Sequence, residues 1–247
     1  MKIAISSDDQ RYYRQDFTIN ELDSFGNPNL QKLFKFVQDC ISVQLRKLKV
    51  GPEDMLNHQC LYILCRIRIK FLRKVKPGER LTFITYPLMP TKIQMRREAF
   101  VNDSNGNVIA LIDSLWVFIN SKTRRITVTD YFKNDTSGFL TSLGNLKPVF
   151  DDFIFDIEYP EKGFVFCFDH VVTDKEIDLN GHMNNAFYDE IIQECSSCQI
   201  LELNVGYEKE CYLGERIHVF KYQENHLIYI LGKKESNELA FKAKVNY

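Results

Sequence analysis

The sequence predicts an α+β protein built as two similar units, each a helix laid against an antiparallel sheet. Three observations carry that expectation. Apolar residues recur three and four apart through residues 30–48, the period of a helix, and four strand-like segments follow. The same order of elements returns in the second half. Finally, "TINELDSFGNPNLQKLFKFVQDC" (18–40) and "TDKEIDLNGHMNNAFYDEIIQEC" (173–195) align without a gap at an offset of 155. They share Thr18/Thr173, Glu21/Glu176, Asp23/Asp178, Gly26/Gly181, Asn29/Asn184, Gln38/Gln193 and Cys40/Cys195, seven identities in 23 positions. Ordinary composition would give about one or two.

The first unit opens with a strand, "YYRQDFTI" (12–19). A helix of about five turns follows, its apolar stripe formed by Leu30, Leu33, Phe34, Val37, Ile41, Leu45 and Leu48. "KVGPEDMLNHQ" (49–59) reads as a loop. "LYILCRIRIKFLR" (61–73), "RLTFITYPL" (80–88), "KIQMRREAFV" (92–101) and "VIALIDSLWVFIN" (108–120) read as strands by length and by β-branched and aromatic content. "NDSNGN" (102–107) is a hairpin turn of the Asn-Gly kind. Punctuated by "NDTSG", "NLKP" and "YPEKG", residues 131–162 read as a linker between an N-terminal domain at 1–130 and a C-terminal domain at 163–247. The second unit repeats strand, loop and helix with "FVFCFDHVV" (164–172) and a helix over about 184–200. The strands "ELNVGYEKE", "RIHVFKY", "HLIYILG" and "LAFKAKVNY" complete it. A second anchor, "PGERL" (77–81) against "LGERI" (213–217), keeps the repeat in register beyond the helices.

A chain that is 45% hydrophobic and 26% charged, with no low-complexity tract, is that of a soluble globular protein. No run approaches the ~18 apolar residues of a membrane span and no apolar leader is visible, so a cytoplasmic protein is expected. Seven scattered cysteines fit reduced thiols better than a disulfide framework. Cys195 and Cys198 form a CxxC, but no second ligand pair stands at metal spacing, and they read as small buried residues one helical turn apart. No metal or other cofactor is expected. The net charge of −1 hides +9 over residues 1–150 and −10 over 151–247. The halves attract each other, or the basic half receives an acidic macromolecule. No helix-turn-helix, zinc-finger or RNP pattern supports nucleic acid as that partner.

The repeat supplies an internal control. Asp23 keeps the acid of Asp178, but Asn180 aligns with Phe25 and His182 with Asn27; at the second anchor's offset Glu210 and Cys211 align with Lys74 and Val75. Residues common to both copies suit the turn and the helix cap. Asp178, Asn180 and Asn184 could each be satisfied by capping alone. His182, alternating with an acid and an amide before a helix, points instead to a site for proton transfer and oxyanion stabilisation, with N–H groups near Gly181 as further donors.

"DLNGHMNNAFYDEI" (178–191) followed by "VGYEKEC" (205–211) resembles the signature of the acyl-acyl carrier protein thioesterases. "MRREAF" (95–100) and "SLWVFINSKTRRI" (114–126) resemble stretches of that family's N-terminal unit. The family glycine before Met-Arg-Arg is absent, Ile93 and Gln94 standing there. The resemblance implies a tandem hotdog fold, each unit a helix wrapped by an antiparallel sheet. It also implies hydrolysis of fatty acyl-acyl carrier protein thioesters, with the N-terminal unit shaping the acyl tunnel and the C-terminal unit catalytic; the carrier protein is acidic in that family, and the +9 half offers it a landing surface. The missing transit peptide favours the bacterial branch. Asp178, Asn180, His182 and Glu210 take the catalytic positions, with Cys211 beside them. Glu210 and Asp178 would activate water while His182 and Asn180 hold the water or the carbonyl; a rival scheme makes Cys211 the nucleophile, with His182 its base and Asn180 its orienter. Arg96, Arg97, Arg124 and Arg125 are candidates for carrier docking, unless the strand arginines face inward ion pairs. An acyl-coenzyme A thioesterase and a non-catalytic acyl-binding protein are the alternatives, and a homodimer is allowed.

Overall fold

The computed structural model of the chain describes residues 1–3, 5, 9–128, 139–144, 146, 148–150, 156–178 and 180–247. Of the expected linker 131–162, residues 131–138, 145, 147 and 151–155 lie outside the described residues. Two units make up the chain, one of Met1–Asn20, Phe36–Cys65 and Lys76–Phe153, the other of Glu21–Lys35, Arg66–Val75 and Ile154–Tyr247.

The first unit holds β1 (Tyr13–Ile19), the larger part of α1 (Leu30–Lys47), α2 (Pro52–Asn57) and the start of β2 (Cys60–Phe71). β3 (Glu79–Pro87), β4 (Gln94–Asp103), β5 (Val108–Asn120) and α3 (Phe139–Leu143) complete it. Its strands run in the order β1-β3-β4-β5-β2, with antiparallel β1/β3, β3/β4 and β4/β5 pairs. The predicted apolar stripe is the face α1 buries: Val37, Ile41 and Leu45 are all interior. Phe36 stacks on Phe17 of β1 at 4.6 Å and meets Phe83 of β3 edge-on at 5.7 Å, which fixes the helix against the sheet. At the β4–β5 hairpin Gly106 takes φ +74°, and Asp103 Oδ1 accepts from the Asn105 and Asn107 N–H groups.

α2 occupies part of the segment read as a loop. Pro52 opens it, Asp54 Oδ2 accepts from the Gly51 N–H at 2.9 Å, and Met55 is fully buried. Proline at the first position followed by two acids is a helix-start signal, and six residues are too short a run for apolar periodicity to show.

The second unit contains the start of α1, the end of β2, β6 (Val165–Val171), a 3₁₀ turn (Asp174–Glu176) and α4 (Asn185–Ser196). β7 (Glu202–Tyr207), β8 (Arg216–Glu224), β9 (Leu227–Lys234) and β10 (Leu239–Asn246) follow. The strand order is β2-β7-β10-β9-β8-β6, and the pairs β2/β7, β7/β10, β10/β9, β9/β8 and β8/β6 are antiparallel. Tyr188 and Ile192 of α4 are buried, and the Tyr188 ring meets Phe241 of β10 edge-on at 5.6 Å. α4 stops at Ser196 rather than near residue 200. Ser197 takes a left-handed φ of +51°, and Lys221 Nζ donates to the carbonyls of Cys195 and Ser196 at 3.2 and 3.3 Å, satisfying the helix C-terminus. Each unit is thus a helix against an antiparallel sheet, the hotdog arrangement that the resemblance implied. Among the described residues no helix is long and apolar enough to cross a membrane.

Candidate active site

The aligned segments fold as the same turn. Asp178 N–H donates to the His182 carbonyl at 2.9 Å and Gly181 N–H to the Asp178 carbonyl at 3.0 Å; in the first copy Asp23 N–H reaches the Asn27 carbonyl at 2.8 Å and Gly26 N–H the Asp23 carbonyl at 3.0 Å. Gly181 and Gly26 take φ of +84° and +89°, which explains the shared glycine. Asn184 caps α4 through its side-chain oxygen, which accepts from Ala186 N–H at 2.9 Å, and Asn29 caps α1 through Lys32 N–H at 2.8 Å. The second anchor is also one turn made twice. Tyr212 N–H donates to Glu215 Oε2 at 2.9 Å, and Lys76 N–H to Glu79 Oε2 at 3.1 Å.

What the two turns hold differs. In the first copy the polar groups serve the scaffold: Asn27 is buried, donates to the Asp23 carboxylate and the Cys198 carbonyl, and accepts from Ile200 N–H at 2.7 Å. Gln193 of α4 donates to Asp23 Oδ2 at 2.8 Å and accepts from Leu30 N–H at 2.8 Å. In the second copy the same places face a cluster of charge. Asp178 Oδ1 accepts from the Asn180 N–H at 2.7 Å and Oδ2 from the Asn180 amide at 3.2 Å, while His182 Nδ1 lies 3.9 Å from Oδ2. On the far side of the imidazole, Nε2 stands 3.3 Å from Glu210 Oε1, off the direction of a hydrogen bond, so this buried nitrogen has no hydrogen-bond partner. Burial of an unmatched ring nitrogen is costly, and a ligand or water atom bridging it and the carboxylate from the side would relieve that cost. The other oxygen, Glu210 Oε2, accepts from Tyr212 Oη at 3.1 Å, and the carboxylate is about one-third exposed at 34%. Asp178, His182 and Glu210 therefore form one line, with Asn180 exposed beside it.

Gly181 N–H is occupied by the turn, as are the N–H groups of Met183, bonded to the Cys211 carbonyl at 2.8 Å, and Asn184, bonded to the Glu176 carbonyl at 2.9 Å. Of the N–H groups expected to supply oxyanion donors near Gly181, these three are therefore taken up by the fold.

Glu210 and Cys211 lie past the end of β7, which closes at Tyr207 rather than continuing to residue 210. The Cys211 side chain is fully buried, with the Tyr188 hydroxyl as a neighbour, and burial pushes its thiol up from the ordinary value. A nucleophilic cysteine needs an accessible thiolate, and both conditions are opposed here.

The four arginines separate. Arg97, 1% exposed, donates to Gln44 Oε1 of α1 and to Thr85 Oγ1, so it sits inside the first unit and is withdrawn as a docking residue. Arg96 points to the opposite face of β4 and is held by Glu98 at 2.7 Å and Asp113 at 2.9 Å, both buried acids; it faces an inward ion-pair network, as strand arginines can. Arg124 and Arg125, in the turn after β5, are exposed.

Two groups at the site escaped the sequence reading. Tyr212 falls just past the Glu-Cys pair, outside any periodic element. Lys234, at the end of β9, donates to the Glu210 carbonyl at 3.0 Å and pairs with Glu215 at 2.8 Å; only the β-sheet brings it there, and no local pattern announces it.

Known proteins share this sequence pattern and fold. The profile of the acyl-ACP thioesterase N-terminal domain matches residues 10–133, and that of the C-terminal domain residues 168–246. The chloroplastic palmitoyl-acyl carrier protein thioesterase of Cuphea hookeriana is 21% identical over 220 residues, covering 81% of this chain and 52% of its own length. This chain thus spans about half the length of the curated relatives it matches. An acyl-ACP thioesterase structure from Bacteroides thetaiotaomicron superposes with a TM-score of 0.85 at 18% identity, covering 98% of this chain and 99% of that one. The 12:0-ACP thioesterase from Umbellularia californica does so at 0.81 and 16% identity, covering 99% and 98%.

Proposed function

Since the chain belongs to the acyl-ACP thioesterase family, we propose that it hydrolyses fatty acyl-acyl carrier protein thioesters to free fatty acid and the carrier's thiol. The observation that carries the reading is the buried, unpartnered His182 Nε2 facing Glu210 Oε1 at 3.3 Å, in the copy of the turn that has exchanged scaffold contacts for charge. Glu210 is the base. A water beside the pair, bridging its carboxylate and His182 from the open side, loses a proton to Glu210 as its oxygen attacks the thioester carbonyl, and the Asn180 amide and His182 hold the developing oxyanion. Asp178, both of whose oxygens are engaged by Asn180, orients that amide and the imidazole rather than taking the proton. The tetrahedral intermediate collapses with loss of the carrier's thiolate, a leaving group that needs little acid assistance; the thiolate then takes the proton from Glu210, which gives the thiol and restores the base. In this reading Cys211 is packing beneath the site, the N-terminal half takes the acyl chain, and Arg124 and Arg125 belong to the surface that meets the acidic carrier.

The test is thiol release from a panel of acyl carrier protein thioesters of increasing chain length, with matched coenzyme A thioesters and His182→Ala as control. Turnover that favours the carrier-linked series and disappears in the variant supports the reading. Faster turnover of coenzyme A thioesters would replace the carrier, and acyl binding without thiol release would replace catalysis by binding.

A further inference from the structure

A second piece of chemistry lies inside the second unit, on the opposite end of α4 from His182. Cys195, in the last turn of α4, has its sulfur 3.4 Å from that of Cys167 on β6, and its S–H points at the Cys167 sulfur. The two differ in access: Cys167 is exposed and Cys195 buried. Among the described residues β6 is the edge strand of this sheet, paired on one side by β8, so the outer thiol stands where solutes reach it and where the backbone has room to adjust. The repeat again supplies a control. Cys40, aligned with Cys195, has Tyr13 as a neighbour, and among the described residues the thiol–thiol contact is found in the second copy.

We propose that Cys167 and Cys195 are a peroxide-sensing dithiol that closes reversibly to a disulfide, Cys167 being the residue oxidised and Cys195 the one that resolves it. Cys167 is the thiol that peroxide in solution reaches, and Cys195 is buried behind it within 3.4 Å, so the roles do not exchange. The Cys167 thiolate sulfur attacks hydrogen peroxide, the O–O bond breaks, and Cys167 becomes a sulfenic acid with loss of hydroxide, which takes up a proton from solvent. The Cys195 sulfur then attacks the Cys167 sulfur; the S–O bond breaks, and the Cys195 proton leaves with that oxygen as water. Two thiols and one peroxide give one disulfide and two waters, and a dithiol reductant reverses the change. Closure ties β6 to the last turn of α4.

The experiment treats the folded full chain, fully reduced, with stoichiometric hydrogen peroxide, alkylates the remaining thiols and maps the digested protein by mass spectrometry. The expected product is one cross-link between the Cys167 and Cys195 peptides, lost on treatment with dithiothreitol, with the other five cysteines alkylated. Cys195→Ser should leave Cys167 as a sulfenic acid captured by a 1,3-dione. Cys167→Ser, a change at an exposed position that the fold tolerates, should protect Cys195 from the same dose. Cys167 oxidised beside an alkylated Cys195, a cross-link between Cys195 and Cys198 instead, or no loss of thiols at all would each overturn the proposal. None of these outcomes depends on thioester hydrolysis.

Discussion

Lys234 Nζ donates to the backbone carbonyl of Glu210 at 3.0 Å, so the candidate base is positioned through its main chain by a residue 24 positions away. The same ammonium holds Glu215 at 2.8 Å and lies over the Tyr212 ring at 5.6 Å, and Tyr212 in turn donates to the Glu210 carboxylate. One cation thus fixes the turn at both ends. Lys234→Met is expected to lower kcat roughly 10- to 100-fold with little change in KM, the scale of a displacement of about 1 Å in a reacting group. Lys234→Arg should recover part of the loss. Steady-state kinetics on a carrier-linked substrate, with the melting temperature as control, checks this; equal losses in both variants at unchanged stability would remove the positioning role.

Glu210→Gln keeps the shape of the side chain and removes the proton acceptor. Its kcat should fall by ~100-fold or more, as for the loss of a general base. Cys211→Ala should keep most of its turnover and lose about 1 kcal/mol of stability from the small void. An inactive, folded Cys211→Ala protein would transfer the nucleophile to sulfur.

Docking on Arg124 and Arg125 has an ionic-strength signature. Arg124→Glu with Arg125→Glu should raise KM for an acyl carrier protein substrate several-fold at low salt, leave a small-molecule thioester unaffected, and lose its effect as salt rises and screens the surface. An equal change for both substrates would place the effect outside carrier recognition.

Asp189 of α4 is wholly buried and accepts from Tyr207 Oη at 3.0 and 3.1 Å. Burial, the larger influence, pushes its carboxyl well above the usual range, against the pull of the tyrosine hydroxyl. With the folded value above the unfolded one, the folded state binds more protons between them. The stability due to the neutral acid is therefore complete below the unfolded value and declines as pH rises toward the folded one. Asp189→Asn, which keeps an acceptor for Tyr207, should unfold at a higher temperature than the parent at pH 8. That advantage should shrink toward pH 4, as followed by thermal melts across the range. An advantage unchanged across that range would mean the parent carboxyl does not titrate with folding.

The parts legible in the sequence were those with local causes. The 13-residue strand at 108–120 announces itself by its β-branched and aromatic run and falls at those bounds in the structure. The paired turns at Gly26 and Gly181 are readable because a left-handed φ restricts the residue type. α2 was missed because six residues carry too little periodicity to outweigh a glycine and a proline. The fate of Arg97 could not be read either. Adjacent arginines on a strand point to opposite faces, and here Arg97 meets Gln44 while Arg96 meets Glu98 and Asp113, a distinction set by tertiary partners. Lys234 belongs to the same class, a contact made by strand register rather than by sequence proximity.

The buried Asn27 keeps the two turns from being interchangeable. Replacing it with histidine would not restore a twin of the His182 turn, because the amide that now secures the carbonyl of Cys198 and the N–H of Ile200 would go with it. A symmetric pair of turns would first need a new anchorage for residues 198–200, so the order in which changes at this turn can be made is constrained by a single side chain.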